Sequence, residues 1–166
     1  MPVPSCSVGR SYEVTYTCEG TASIVPGFRL SWYDGKARPE GKGWPMKSRP
    51  SQGSYFIGET GSMLLPHIGA PQLFDAKGKS QDAPALVEGA THWHLFVDAC
   101  LGGAKTTAGF DYAGPLTEVL LLGVIANRFP GEVLKYEGAS GRITNHAEAQ
   151  KLTRRTYRKG FEVEGL

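Results

Sequence analysis

Hydrophobic and polar residues alternate along the first half of the chain, and this two-residue period predicts β-strands. In Ser11–Glu19 every second residue is aromatic, aliphatic or cysteine. The segment Phe28–Tyr33 alternates in the same way and runs into Asp34-Gly35, a turn dipeptide. Three further short strands are expected at Tyr55–Ile57, Ser62–Leu65 and Gln72–Phe74. Together they favour a mostly antiparallel sheet with one covered face.

The second half changes to the spacing of amphipathic helices. Thr91 can cap a first helix, and Gly102-Gly103 is a pattern that ends one. The apolar positions of this helix follow an i, i+3, i+4, i+7, i+8 spacing and are Trp93, Phe96, Val97, Cys100 and Leu101. The pattern therefore predicts one apolar face along the helix.

Two more helices are expected towards the end of the chain. Pro115 suits the first turn of a helix over 116–129, which Pro130-Gly131 would stop. This segment is apolar nearly all round, so we expect it between the sheet and another layer. Asn145 and Glu148 form an N-x-x-E capping pattern that opens a third helix through about Arg158.

These elements predict an α+β fold, an open, mostly antiparallel β-sheet with helices packed on one face. With 166 residues the chain is expected to form a single domain over 1–166, sheet-rich in 11–75 and helix-rich in 91–158. A net charge of +2 gives no reason to expect nucleic acid or a membrane as a partner. A cytoplasmic location is favoured; export stays open because residues can precede Met1 in the native protein.

Cysteine and histidine suggest no clear chemistry. Cys6, Cys18 and Cys100 are odd in number and lack a CxxC spacing, which favours buried free thiols over disulfides. A metal site at His92, His94 and Asp98 is disfavoured, because the two histidines lie roughly 200° apart on a helix. Polar surface, or hydrogen bonding at the helix N-terminus, is the preferred interpretation.

Basic residues cluster in two places. The loop over 36–54 carries five cations around Trp44 and suggests a phosphate or nucleic-acid contact. A solvated loop whose tryptophan docks on its own domain is the favoured alternative. A second group is spaced i, i+3, i+4, i+7 and consists of Lys151, Arg154, Arg155 and Arg158. It could bind phosphate or an acidic partner, but a solvated helix face is preferred.

No complete catalytic or cofactor-binding motif is present. No GxGxxG follows a strand, and no phosphate-binding loop occurs. The nearest approach, in residues 41–46, lacks the third glycine and has Pro45 where a helix should open. The chemistry of this chain is therefore expected to depend on residues outside it.

Several sequence blocks nevertheless resemble a known domain. In order, they are FRLSWYDGKARP, YFIGETGSMLL, THWHLFVDACLGG, FDYAGPLTEVLLLGVIANRF and NHAEAQKLTRRTYRKGFE. The chain from about Tyr12 onward resembles the C-terminal α/β domain of the Gfo/Idh/MocA family, named after glucose–fructose oxidoreductase and inositol dehydrogenase. The likeness is to a bacterial, dehydrogenase-like branch. No single block decides it, but WYDG, FDYAGPLTE and YRKGFE in this order are fairly specific.

The resemblance implies a two-domain enzyme. An N-terminal Rossmann domain, not contained in these residues, would bind NAD or NADP, while the C-terminal domain would supply an open sheet with helices on one side. The other face of that sheet would form a homo-oligomer interface. The family's glycine fingerprint and its Glu-Lys-Pro segment with the catalytic lysine do not occur here. We therefore expect no catalytic residue, no metal and no cofactor bound by this chain.

The leading hypothesis is the substrate-side and oligomerisation domain of an NAD(P)-dependent oxidoreductase acting on a sugar or polyol, inactive by itself. Candidate substrate contacts are His92, His94, Asp111 and Tyr112, near helix starts or in a connecting loop, although capping or hydrogen bonding is favoured for all four. One alternative is a stand-alone, self-associating module that binds carbohydrate or protein through the Trp44 loop. Another is a hydrolase using NAD as a transient redox helper, which also needs the missing domain.

Overall fold

The computed structural model describes residues 11–20, 22, 24–39, 50–85, 89 and 91–164. The chain divides into two compact units. Unit 1 comprises Met1–Arg38 and Lys105–Leu166, and unit 2 comprises Pro39–Ala104. Both contain helices and open, antiparallel sheets, so the fold belongs to the α+β class. The prediction of a single sheet is wrong, because the described strands form three separate sheets of two, four and two strands. No helix among the described residues is long and apolar enough to cross a bilayer.

Unit 1 begins with the predicted hairpin. Strand β1 spans Tyr12–Cys18 and pairs antiparallel with β2, Phe28–Asp34, placing Val14 opposite Trp32. Paired residues share a face, so the apolar and aromatic positions of both strands lie together. On the other face the Thr15 and Ser31 hydroxyl oxygens are 3.0 Å apart. The alternating pattern thus correctly predicted that apolar and polar side chains lie on opposite faces of this hairpin. The apolar face is only partly buried, because Val14 is 8% exposed but Trp32 is 47% exposed.

Unit 2 contains a four-stranded antiparallel sheet. The strands are β3 (Gly53–Ile57), β4 (Gly61–Pro66), β5 (Gln72–Asp75) and β6 (Ser80–Gln81), in that spatial order. The first three were predicted, whereas the two-residue β6 was not. One cross-strand row is Phe56, Met63 and Leu73, and a row on the opposite face contains Tyr55 and Leu64. Both faces of this sheet are therefore apolar, unlike the hairpin of unit 1.

Helix α1 of unit 2 spans His92–Cys100, as expected from its periodicity. Its end is a Schellman turn: Gly102 adopts a positive φ of 86°, and Gly103 N–H donates to the Asp98 carbonyl oxygen at 2.8 Å. No residue of α1 is buried, and Trp93 is 71% exposed. The expectation of a buried Cys100 is wrong, because this thiol lies on the uncovered helix face; Cys18 is half-buried and also free.

Helix α2 of unit 1 spans Phe110–Ala126 and differs from the prediction at both ends. Gly109 is its N-cap, so Pro115 lies inside the helix rather than in its first turn. Asp111 favours the earlier start, because a carboxylate in the first turn faces the unpaired N–H groups there. After Ala126 the chain forms a tighter turn closed by a hydrogen bond between residues three apart. The Phe129 N–H donates to the Ala126 carbonyl oxygen at 2.9 Å.

Two different faces of α2 make long-range contacts within unit 1. Towards the hairpin, the Tyr16 hydroxyl donates to the Val119 carbonyl oxygen at 2.9 Å. A Cβ added to Gly123 would collide with that hydroxyl oxygen, so only glycine admits the ring at this distance. On another face, Ile125 joins the buried core cluster with Ile143 and Ala149. Helix α2 thus connects the hairpin to the end of the chain.

That last part of unit 1 consists of β7 (Tyr136–Glu137), β8 (Arg142–Ile143) and α3 (Ala147–Lys151). The prediction of an Asn145 cap is wrong. The Asn145 side chain instead accepts from Lys135 N–H at 2.8 Å and donates to the Val133 carbonyl oxygen at 2.7 Å. His146 caps α3, its Nδ1 accepting from the Ala149 N–H at 3.1 Å.

The predicted extent of this last helix is also wrong, because α3 ends at Lys151 rather than near Arg158. The side chain of Gln150 shows why the chain turns here. Its Oε1 accepts from the Ile143 N–H at 2.6 Å, and its backbone carbonyl accepts from the Thr153 hydroxyl at 2.8 Å. These tertiary and local contacts compete with continuation of the helix.

Candidate functional site

The predicted histidine contacts lie in the first turn of α1. His94 Nδ1 is 2.8 Å from the Thr91 hydroxyl oxygen. The His92 ring lies 4.5 Å from that of Trp93, centroid to centroid. Both histidines are exposed. These contacts belong to the start of the helix, and contact with a substrate stays a prediction.

Asp111 and Tyr112 occupy the first turn of α2 rather than a connecting loop. The Asp111 carboxylate accepts from the Tyr112 N–H at 3.1 Å, and Tyr112 is 61% exposed. The two histidines belong to unit 2 and this pair to unit 1. The contacts of each pair therefore belong to the first turn of its own helix.

The other charged clusters do not form the arrangements considered from the sequence. Across the described ranges, no group of three or more His, Cys, Asp or Glu side chains could hold a metal ion. The basic residues that follow Glu148 do not share a helix face, because only Lys151 lies in α3, where it contacts Glu148 at 2.6 Å. Arg158 instead lies 3.6 Å from the centre of the Phe161 ring. Trp44 and its basic neighbours in 40–49 lie outside the described residues.

A cleft between the hairpin and α2 combines apolar walls with polar groups. Its volume is about 260 Å³, slightly below the roughly 300–1,000 Å³ of typical ligand pockets. Leu120 and Val124 of α2 form part of its wall, opposite Trp32 and Tyr12 of the hairpin. The Trp32 side chain is 47% exposed. The cleft suits one small ring or part of a larger molecule.

Asp34 provides the charge of the cleft. The Tyr12 hydroxyl donates to its Oδ2 at 2.9 Å, and the Gly35 N–H donates to its Oδ1 at 2.6 Å. The bond from Gly35, followed by that from Tyr12, lowers the pKa of Asp34 below its ordinary value of 3.8. The group is therefore a carboxylate at neutral pH. Each oxygen retains a lone pair that can accept a hydrogen bond from a ligand hydroxyl.

Tyr16 has a supporting role in this cleft. Burial raises the pKa of its phenol, and an interaction with the Gly123 backbone partly offsets that rise. Because its hydroxyl donates to the Val119 carbonyl oxygen, the ring holds β1 against α2. A phenol held in this way positions the wall of the cleft and does not act as a base.

The side chains that line the cleft are suited to binding a ligand. An aromatic face beside a carboxylate suits a sugar or polyol, whose C–H surface packs on the ring while its hydroxyls donate to the oxygens. Asp34 stays ionised near neutrality, so it accepts hydrogen bonds rather than supplying a proton. The residues that line the cleft could hold a ligand through hydrogen bonds and ring contact; they do not by themselves form a nucleophile and base pair.

Sequence analysis placed Trp32 on a strand and Asp34 in a turn without assigning either a site role. The missing information was the register, which places Asp34 opposite Tyr12, and the position of α2 above them. An available signal was the WYD triplet itself, since residues two apart on a strand share a face. That signal indicates a shared face but not what covers it.

Comparisons with models of known families, with curated proteins and with solved structures find no match to this chain. The chain's own residues and the resemblance of its sequence blocks are therefore the observations that bear on its function.

Proposed function

We propose that this chain is the substrate-side, self-associating domain of an NAD(P)-dependent oxidoreductase that acts on a sugar or polyol. The observation that carries the proposal is the cleft that Trp32 and Asp34 both line. Such a cleft binds and orients a hydroxylated substrate. Hydride transfer would then require a nicotinamide bound by the Rossmann domain that the sequence resemblance implies.

The two-faced sheet of unit 2 supports self-association. Phe56 is 47% exposed on one face, while Leu64 on the other face is only 3% exposed. A sheet that is apolar on both sides is typical of one covered on both sides. In the proposed enzyme, the row of exposed Phe56 and half-buried Met63 and Leu73 packs against a second copy. In this arrangement the partner subunit covers one face of the open sheet.

Sugar binding can be tested on the chain directly by isothermal titration calorimetry with a panel of neutral aldohexoses and cyclic polyols. We expect at least one to bind, and Trp32→Ala or Asp34→Asn to weaken its affinity about tenfold. Trp93→Ala is the matched control, because this exposed tryptophan lies in the other unit. If all three variants bind the sugar with equal affinity, the cleft is not the binding site.

The pH dependence of binding tests the role of Asp34. Since its pKa is lowered from an ordinary value of 3.8, affinity should be constant between about pH 5 and 8 and fall only in acid below that value. Asp34→Asn should eliminate the acid-side fall. A loss of affinity near pH 6 would indicate a different group.

The oxidoreductase part needs a separate test. The coding DNA upstream of Met1 should contain a continuous reading frame with GxGxxG after a predicted strand. In that longer protein, NAD(P)-dependent oxidation of the bound sugar should show a raised KM in Trp32→Ala. If the reading frame starts at Met1, independent dehydrogenase activity is rejected.

A stand-alone carbohydrate-binding module is the second candidate, favoured by the same cleft. It shares the calorimetric prediction but not the upstream frame. Sugar binding by a protein whose reading frame starts at Met1 would select this module over the oxidoreductase domain.

A further inference from the structure

The three aromatic residues of the cleft are neighbours on the apolar face of the hairpin. They are Tyr12 and Tyr16 of β1 and Trp32 of β2, and all three line the cleft. Trp32 is directly opposite Val14, so Tyr12 and Tyr16 are its diagonal neighbours across the strand pair. Diagonal neighbours on one face are within reach of aromatic side chains. The cleft therefore has its aromatic groups concentrated around Trp32, which is exposed.

Asp34 adds a negative charge to this part of the hairpin, two residues after Trp32 on the same face of β2. It is the only charged residue among the described residues that line the cleft, and no described lysine, arginine or histidine forms an ion pair with it. Arg38 is near in sequence, but its Nη1 donates to the carbonyl oxygens of Gly35 and Ala37 at 3.0 and 2.6 Å. A cation in the cleft would therefore be attracted to Asp34.

The side chains of the cleft offer a ligand mostly acceptors. The Tyr12 hydroxyl donates its proton to Asp34, and the Tyr16 hydroxyl donates its proton to the Val119 carbonyl oxygen. A hydroxyl has one proton, so neither phenol has a donor left for a ligand. Among the described side chains that line the cleft, the indole N–H of Trp32 is the remaining donor. An ammonium group has three donors and no acceptor, so it matches the Asp34 oxygens better than a hydroxyl does.

We propose that the cleft is a site for a protonated amine on a small ring, with the ammonium group at Asp34 and the ring against the aromatic side chains. An aromatic face attracts a cation, and a nearby carboxylate adds an ion pair. That the ligand is a cation is argued from the residues of the cleft alone, whereas that its ring is a sugar rests on the proposed function. The substrate of the proposed enzyme is then an amino sugar or an amino polyol.

Two six-membered rings test the preference without depending on sugar stereochemistry. Cyclohexylammonium and cyclohexanol differ only in carrying an ammonium or a hydroxyl group. Each is titrated into the chain at neutral pH while NMR follows the backbone amides of Gly123 and Val124, which line the cleft. We expect cyclohexylammonium to bind about tenfold more tightly at low salt, because a cation–π contact and an exposed ion pair are each modest. Added sodium chloride should reduce this preference, since salt screens exposed charges.

Two variants separate the carboxylate from the aromatic ring. Asp34→Asn should remove most of the preference for cyclohexylammonium. Trp32→Leu keeps an apolar side chain but removes an aromatic face, so it should weaken the binding of cyclohexylammonium about threefold more than that of cyclohexanol. Glu59→Gln is the matched control, because it removes one negative charge from an exposed position in the other unit. Equal affinities for the two rings in the unaltered chain, or a preference that persists in Asp34→Asn, would overturn the proposal.

The sugar part has its own comparison. The neutral sugar that binds best in calorimetry is compared with derivatives in which an amine replaces one hydroxyl, each position in turn. At least one derivative should bind about tenfold more tightly than its parent. If neutral sugars bind and every amino derivative binds no better, the cationic ligand is rejected while the proposed function stands. If no sugar binds but cyclohexylammonium does, the proposed function fails and the cation site stands.

Discussion

The two longer helices differ in a way that their sequences do not suggest. Helix α1 has a regular apolar face, yet none of its residues is buried. Helix α2 is apolar nearly all round, and it does contact strands and a core cluster, with Gly123 and Ile125 buried. Periodicity identifies the face that a helix can bury. Whether that face is covered depends on which elements the chain brings to it.

The two helices also differ in whether local or long-range contacts stabilise them. The end of α1 depends on neighbouring backbone groups, through the Schellman turn at Gly102 and Gly103. The position of α2 depends on Tyr16, which is 103 residues from its acceptor Val119 in the sequence. A helix held by distant contacts should respond to distant substitutions, whereas α1 should respond mainly to its own residues.

The largest expected difference comes from removing one apolar side chain from each helix. Ile125→Ala should destabilise the chain by about 3 kcal/mol, because Ile125 is 9% exposed and its loss leaves a cavity. Phe96→Ala should cost less than about 0.5 kcal/mol, since Phe96 is 60% exposed. Urea unfolding measures both. A similar cost for Phe96→Ala would mean that α1 is covered in solution, and the contrast between the helices would fail.

The close approach of α2 to the hairpin predicts the next effect. Gly123→Ala should cost about 2 kcal/mol, because the new Cβ collides with the Tyr16 hydroxyl and forces the ring away from α2. Tyr16→Phe removes the colliding atom, so the double variant should be more stable than the sum of the single effects predicts. Thermal unfolding of all four proteins completes the cycle. Additive effects would mean that Gly123 and Tyr16 do not touch.

The amide of Asn145 predicts a smaller effect near the second packed face of α2. Asn145→Ala should cost about 1–2 kcal/mol, because two backbone hydrogen bonds to residues 133 and 135 are lost. His146→Ala should cost about 1 kcal/mol, the usual value of a helix cap. Chemical denaturation compares them. If α3 loses its amide-exchange protection only in Asn145→Ala, the cap is Asn145 after all.

The smallest effect concerns the contact between α2 and β7. Burial, with the hydrogen bond to Glu118 next, raises the pKa of Tyr136 to about 12 from an ordinary 10.0. The raised value means that this stabilisation is complete below about pH 10 and is lost as pH rises through about 12. Ultraviolet titration should show a phenol that ionises near pH 12 and is absent in Tyr136→Phe, a substitution that should cost about 0.5–1 kcal/mol at neutral pH. If Tyr136→Phe leaves the titration unchanged, the phenol that ionises near pH 12 belongs to another tyrosine.

Predictions from the sequence succeeded where the signal is local. Alternation located β1 to β5 with small errors in their ends, and Gly102-Gly103 located the end of α1. They failed where two local signals compete. Pro115 suggested a helix start, but the stretch before it forms helix from a glycine cap onward. Asn145 suggested a helix cap, but its amide is used by the backbone ten and twelve residues earlier.

The candidate cleft shows the same division. Sequence alone placed Trp32 on the apolar side of a strand and Asp34 in the turn that follows it, whereas the structure includes Asp34 in the strand. Only the tertiary structure placed Tyr12 against Asp34 and α2 across from Trp32, because strand register and helix position are set by contacts between distant residues. The secondary structure of each segment thus follows mainly from its own residues. The buried faces and the cleft follow from the free energy of packing between segments that are distant in the sequence, so no single segment determines them.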